Sequence, residues 1–207
     1  FTVDSIENVN IKTELSKSTL TDIVHGALKT LTITGDQDLK VTNAFGFGAT
    51  DEKTDGTFDA TIDASAFTGK LTITPSQTSS QINVKGGSGN DTFNMDGELK
   101  KLDYVDGGAG IDTLTMDPAT LTTQLTNVTN IEKFAFDPAS ALVSMDVSKV
   151  PSSVTTVEMD VADGLDGGAV IAYTITNLGT QSVNLKHSVQ DTGADSTSDD
   201  GVTVAIT

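Results

Sequence analysis

The sequence predicts an all-β chain wound as a parallel solenoid, and three observations predict it. Strand-like segments recur with a two-strand period of about 20 residues. Two glycine-rich turns share one nine-residue pattern. The composition favours strands and turns: 33 Thr, 23 Asp against 6 Glu, and only 5% aromatic residues with no Trp. Thr with Val and Ile suits a pleated, half-buried surface, whereas Asp favours turns and caps. With so few rings, stacked rows of small aliphatic side chains are the natural core.

The strand-like segments begin at Leu31, Asp38, Leu71, Ile82, Asp91, Leu102 and Asp112, and continue from Ile131, Leu142, Val154, Val170, Ser182 and Val202. Each alternates apolar and polar residues and is bounded by Gly, Asp, Asn or Ser. Every second start steps from 71 to 91 to 112 and from 82 to 102, offsets of 20, 21 and 20 residues. A repeat of that length holds two strands and two turns, one coil of a solenoid with like strands stacked in parallel. An antiparallel sandwich would give similar spacing, so turn chemistry decides between them.

Near the start, Leu20, Ile23, Val24, Ala27 and Leu28 recur at helical spacing behind Ser18, a residue suited to N-capping. This predicts a short amphipathic helix covering one end of the solenoid, although Gly26 within it disfavours helix. Residues 1–150 read as the solenoid proper. Residues 151–207, with wider strand spacing and acidic loops such as Gln190 to Gly201, read as its less regular continuation or a small β module. The start lacks an initiator Met and a signal-peptide pattern, so the chain reads as part of a longer protein.

A formal charge of −17 with no Arg excludes a phosphate-binding footprint and hence nucleic acid as a partner. No apolar run approaches a membrane span. Without Cys there is neither a disulfide framework nor a thiolate metal site. HExxH, GxSxG and P-loop motifs are absent, and the two histidines, His25 and His187, read as surface or packing residues. The chain is therefore read as non-catalytic.

The chemistry lies in GGSGNDTFN, Gly86 to Asn94, and GGAGIDTLT, Gly107 to Thr115. Closely spaced glycines let the backbone turn tightly at positive φ, with carbonyl oxygens facing inward. Asp91 and Asp112 close the turns with carboxylates, and Phe93 and Leu114 point into the interior. Neutral carbonyls with a few carboxylates favour a calcium ion. The other acidic groups, Asp36 and Asp38, Asp51 to Asp55, Asp163 and Asp166, and Asp195 to Asp200, read as solvated loop charge.

Both stretches match G-G-x-G-x-D-x-U-x, U being a large apolar residue, with Val84 and Val105 two residues before the first glycine. They resemble the calcium-binding nonapeptides of RTX proteins, whose fold is a parallel β-roll. The resemblance implies an ion held between two turns stacked on one side, ideally separated by the length of two nonapeptides. Here Gly86 and Gly107 stand further apart than that, and DGELKKLD, Asp96 to Asp103, is the place for the excess. The implied ligand set is Gly86, Ser88, Asp91, Asp106, Gly107, Ala109 and Asp112, around one calcium ion. Downstream, DTLTM, a spacer and LTNVTNIEKFAF are similar in cadence to RTX-type surface-layer proteins and large bacterial adhesins.

That family implies a secreted, extracellular chain exported by type I secretion. Sites with dissociation constants of roughly 10⁻⁴ to 10⁻³ M stay empty in the cytosol and fill outside. The expected function is a structural, self-assembling component of a bacterial surface layer, with other copies of itself as partner and cell-surface polysaccharide as a further one. The alternatives are a segment of an RTX adhesin or the non-catalytic RTX domain of a secreted hydrolase.

Overall fold

A computed structural model describes residues 6–21, 24–25, 28–41, 46–47, 60–75, 81–95, 99, 103–116, 125–136, 142–162, 171–188 and 202–206. Among these the architecture is all-β, and every strand ladder is parallel. One sheet stacks β1 (Asn8–Thr13), β4 (Thr30–Gly35), β7 (Ala60–Asp63), β9 (Ile82–Lys85), β11 (Tyr104–Asp106) and β13 (Val128–Thr129) in that order. The other stacks β2 (Ser18–Leu20), β5 (Leu39–Val41), β8 (Leu71–Ile73), β10 (Thr92–Asn94), β12 (Thr113–Thr115), β14 (Lys133–Phe136), β16 (Thr156–Ala162) and β18 (Ser182–Ser188). The chain alternates between the two, one strand of each per coil, which makes a β-solenoid.

Two smaller ladders complete the strand set: β3 (Val24–His25) with β6 (Gly46–Phe47), and β15 (Leu142–Asp146), β17 (Ile171–Thr176) and β19 (Val202–Ile206). The second sheet crosses residue 150 without a break, since Lys133 pairs with Thr156 and Thr156 with Ser182.

Register follows burial. Leu31, Ile62, Val84, Val105 and Val128 are partners in successive coils and form one buried column. Ile73, Phe93, Leu114, Phe134 and Val157 form the facing column. Because side chains alternate with a period of two, a slip of one residue would turn a column outward, so the core itself fixes the register. Each buried side chain contributes on the order of 1.5–3 kcal/mol. Phe93 and Leu114 occupy the interior positions expected of them.

The expected N-terminal helix is not present. Ser18 to Leu20 form strand β2, paired with Leu39 to Val41, and the Ser18 N–H donates to the Asp38 carbonyl at 2.8 Å. Val24 and His25 are also strand. Residues 22–23 and 26–27 lie outside the described ones. The neighbouring coil supplies the hydrogen-bond partners and the apolar surface that a helix would have needed, which overrides a helical period spanning barely two turns. Among the described residues the one helical piece is a 3-10 turn at Val147–Lys149.

Candidate metal site

Three turns stack on one edge of the solenoid where the chain passes from the first sheet to the second: 86–91 between β9 and β10, 107–112 between β11 and β12, and 130–132 between β13 and β14. Main-chain hydrogen bonds zip them together. Gly86 N–H donates to the Asp106 carbonyl at 2.7 Å, Ala109 N–H to the Gly87 carbonyl at 2.9 Å, and Gly107 N–H to the Thr129 carbonyl at 3.0 Å. Ser88 N–H reaches the Phe67 carbonyl of the preceding coil at 2.9 Å. The expected pairing of the two glycine turns is thus met in space, and the strands that leave them run in register, Thr92 opposite Thr113.

Bare glycines are required by this closeness. A Cβ on Gly86 would overlap the Gly107 carbonyl oxygen and lie 2.8 Å from Asp91 Oδ2. A Cβ on Gly107 would overlap the Asn130 carbonyl oxygen and lie 2.7 Å from Asp112 Oδ2. Positive φ, expected of the glycines generally, occurs in these two turns only at Gly108 and Gly110. Room for the adjacent coil explains the others.

The aspartates form a ladder. Asp91 Oδ1 accepts from Leu71 N–H at 2.8 Å and its Oδ2 from Gly87 N–H at 2.8 Å. Asp112 Oδ1 accepts from Asp91 N–H at 2.7 Å, and Glu132 Oε2 accepts from Asp112 N–H at 2.8 Å. Each carboxylate thereby caps a main-chain donor one coil earlier. Asp103, on the opposite edge, does the same for Ile82 N–H at 3.0 Å. Asp106 Oδ1 accepts from Gly108 N–H at 3.1 Å and Asn130 Nδ2 at 2.7 Å.

Asp91 and Asp112 are both fully buried, and both carboxyls are pushed above the usual range, chiefly by loss of hydration. For Asp91 the bonds from Leu71 and Gly87 and the charge of Lys70 oppose the rise. Asp112 rises to about 7; its bond from Asp91 N–H opposes the rise, while the negative charges of Asp91, Glu132 and Asp106 reinforce it. Asp112 Oδ2 is buried with no hydrogen-bond partner.

Where the expected ligands stand follows from these bonds. Gly86, Ser88, Gly107 and Ala109 lie in the stacked turns as expected, with Asp106 at their margin. Both oxygens of Asp91 are engaged by main-chain donors. Asp112 is different: its second oxygen stands against Gly107 as Asp91 Oδ2 stands against Gly86, but it has no donor. A buried carboxylate oxygen without a donor, close to a carbonyl oxygen and in the field of further negative charge, fits a hard cation. Among the described residues no three His, Cys, Asp or Glu side chains by themselves form a group that could hold a metal, so main-chain oxygens must complete any shell.

Three residues of this edge were not anticipated as participants. Asn90 accepts Ile111 N–H at 2.9 Å, Asn130 turns the chain at φ 51°, and Glu132 continues the carboxylate ladder. The 20-residue step from Asp112 to Glu132 equals the strand offset and was the available signal. Of the acidic groups read as solvated, Asp36 and Asp38 are exposed, Asp38 also accepting Lys70 N–H at 3.0 Å, while 51–55, 163–166 and 195–200 lie outside the described residues. His25 and His187 both fall in strands.

No family model, no curated protein and no solved structure matches the chain.

Proposed function

We propose that this chain is a calcium-stabilised, non-catalytic segment of an RTX-type bacterial surface-layer protein, acting outside the cell as a structural unit that associates with further copies of itself. The observation that carries the reading is the partnerless buried oxygen of Asp112, set where two G-G-x-G-x-D turns stack coil on coil. Calcium, when bound, supplies the positive charge that this oxygen lacks. Asp112 and the main-chain carbonyls of the stacked turns would hold it. Asp91 and Asp106 carry the neighbouring negative charge.

At millimolar calcium and a dissociation constant of ~0.1 mM, one ion adds about 1.4 kcal/mol. That is no more than one buried aliphatic side chain, so the apolar columns carry most of the stability and the ion secures the turn edge. The net charge of −17 keeps copies apart until divalent ions screen or bridge it. Type I secretion agrees with such a chain, since a site too weak to fill in the cytosol leaves the turn edge without its ion until export.

The test is calcium addition to chelated protein, followed by sedimentation velocity and circular dichroism. A sharpened β spectrum with growth of larger species is expected. Unchanged sedimentation and spectra at millimolar calcium overturn the proposal.

A further inference from the structure

We infer that the cation-binding step of this edge is displaced by one coil from the pair of glycine turns, lying between the second glycine turn and the glycine-free turn Asn130-Ile131-Glu132. The inference rests on the calcium reading above and deepens it.

Four observations place it there. The first turn's aspartate already has a main-chain donor on each oxygen, Leu71 N–H on Oδ1 and Gly87 N–H on Oδ2, both at 2.8 Å. A cation drawn to Asp91 would have to displace or share those donors. The second turn differs: Asp112 is 0% exposed, and its Oδ2 has no partner. The Asn130 carbonyl of the following coil packs against the same residue, Gly107, as that oxygen does. Asn130 is fixed in that position by a left-handed φ of 51° and by its Nδ2 bond to Asp106 Oδ1 at 2.7 Å.

Charge points the same way. Glu132 binds the Asp112 N–H through Oε2 at 2.8 Å, which sets a second carboxylate against the Asp112 turn. Asp106 is tied through Oδ1 to both turns, at Gly108 and Asn130, and also carries a second oxygen. Asp91, Glu132 and Asp106 all place negative charge about Asp112, whereas Asp91 has the positive charge of Lys70 acting on it. The chemistry is that of a hard divalent ion taking carboxylate and carbonyl oxygens. The turn at 130–132 needs no glycine for this, because Asn tolerates the left-handed conformation.

Calcium titration calorimetry on the chelated chain, with circular dichroism to confirm folding, tests this with Asp112→Asn, Glu132→Gln and Asp91→Asn. The tightest binding event is expected to weaken at least tenfold in Asp112→Asn and Glu132→Gln and to change less than threefold in Asp91→Asn. Glutamine at 132 still offers an oxygen to Asp112 N–H, so this variant decides alone if Asp112→Asn fails to fold. A folded Glu132→Gln variant that keeps the event, or a folded Asp91→Asn variant that loses it, overturns the displaced site while leaving calcium binding intact. No uptake by the parent chain at millimolar calcium overturns the underlying calcium reading and this inference together.

Discussion

Asp112 Oδ1 receives the main-chain N–H of Asp91, one coil earlier, at 2.7 Å with both residues buried. Leu71, Asp91 and Asp112 are each capped from the coil that follows, by Asp91, Asp112 and Glu132 in turn. The carboxylate of each winding thus completes the hydrogen bonding of the one before. Asp at the sixth motif position has a structural duty that precedes any ion.

Asp91→Ala removes the acceptor of two main-chain donors, Leu71 and Gly87, while Asp112→Ala removes that of Asp91 alone. A buried donor left without a partner costs about 1–3 kcal/mol. In chelator, urea unfolding is expected to show the larger loss for Asp91→Ala. Equal losses would mean that water or a shifted turn replaces the missing acceptor.

Stability in chelator is expected to fall as pH rises from about 4 to about 7. The Asp112 carboxyl titrates at about 7 when folded, above its unfolded value near 3.9, so the folded state holds the proton more tightly. Its contribution is complete below the unfolded value and disappears as pH passes through the folded one. Chemical unfolding across this range measures the slope, and saturating calcium is expected to flatten it.

Gly107→Ala places a methyl group on the Asn130 carbonyl and is expected to destabilise by about 1–3 kcal/mol or more. Gly179→Ala is the control, since its methyl meets only Gln181 Oε1, at 3.2 Å, on a side chain that can rotate away. Thermal melts of the pair distinguish close stacking of coils from a general intolerance of added bulk.

Phe134→Ala empties a fully buried position in the column between Leu114 and Val157 and is expected to cost about 3–5 kcal/mol. Calcium at millimolar concentration is expected not to restore it, because one ion adds too little. Full rescue would show that ions, not aliphatic rows, hold the fold.

The sequence displayed the solenoid through repetition: the segments with alternating residues became strands, and the regular spacing of their starts reappears as Thr72 opposite Thr92 and Thr92 opposite Thr113. Strands β1, β2, β3, β6, β7 and β13 were missed. Most are very short, and each takes its strand identity from a partner in another coil, as Ala60 to Asp63 does between Thr30–Thr32 and Ile82–Lys85. The site was half legible. Glycines and aspartates announced the stacked turns, but whether a carboxylate meets an N–H or lacks a donor depends on where the adjacent winding sits, which is why Asp91 and Asp112 look equivalent on paper and differ in the fold. Glu132 was hidden because its turn has no glycine.

Winding length is uneven in an orderly way. The coil that carries Leu39 round to Leu71 is much longer than the one that carries Thr92 round to Thr113, yet both ladders are parallel. The extra residues fall between Val41 and Ala60, a stretch of which Gly46 and Phe47, paired with Val24 and His25, are described. Register is thus handed from strand to strand and not metered by coil length, so one frame holds windings of unequal size.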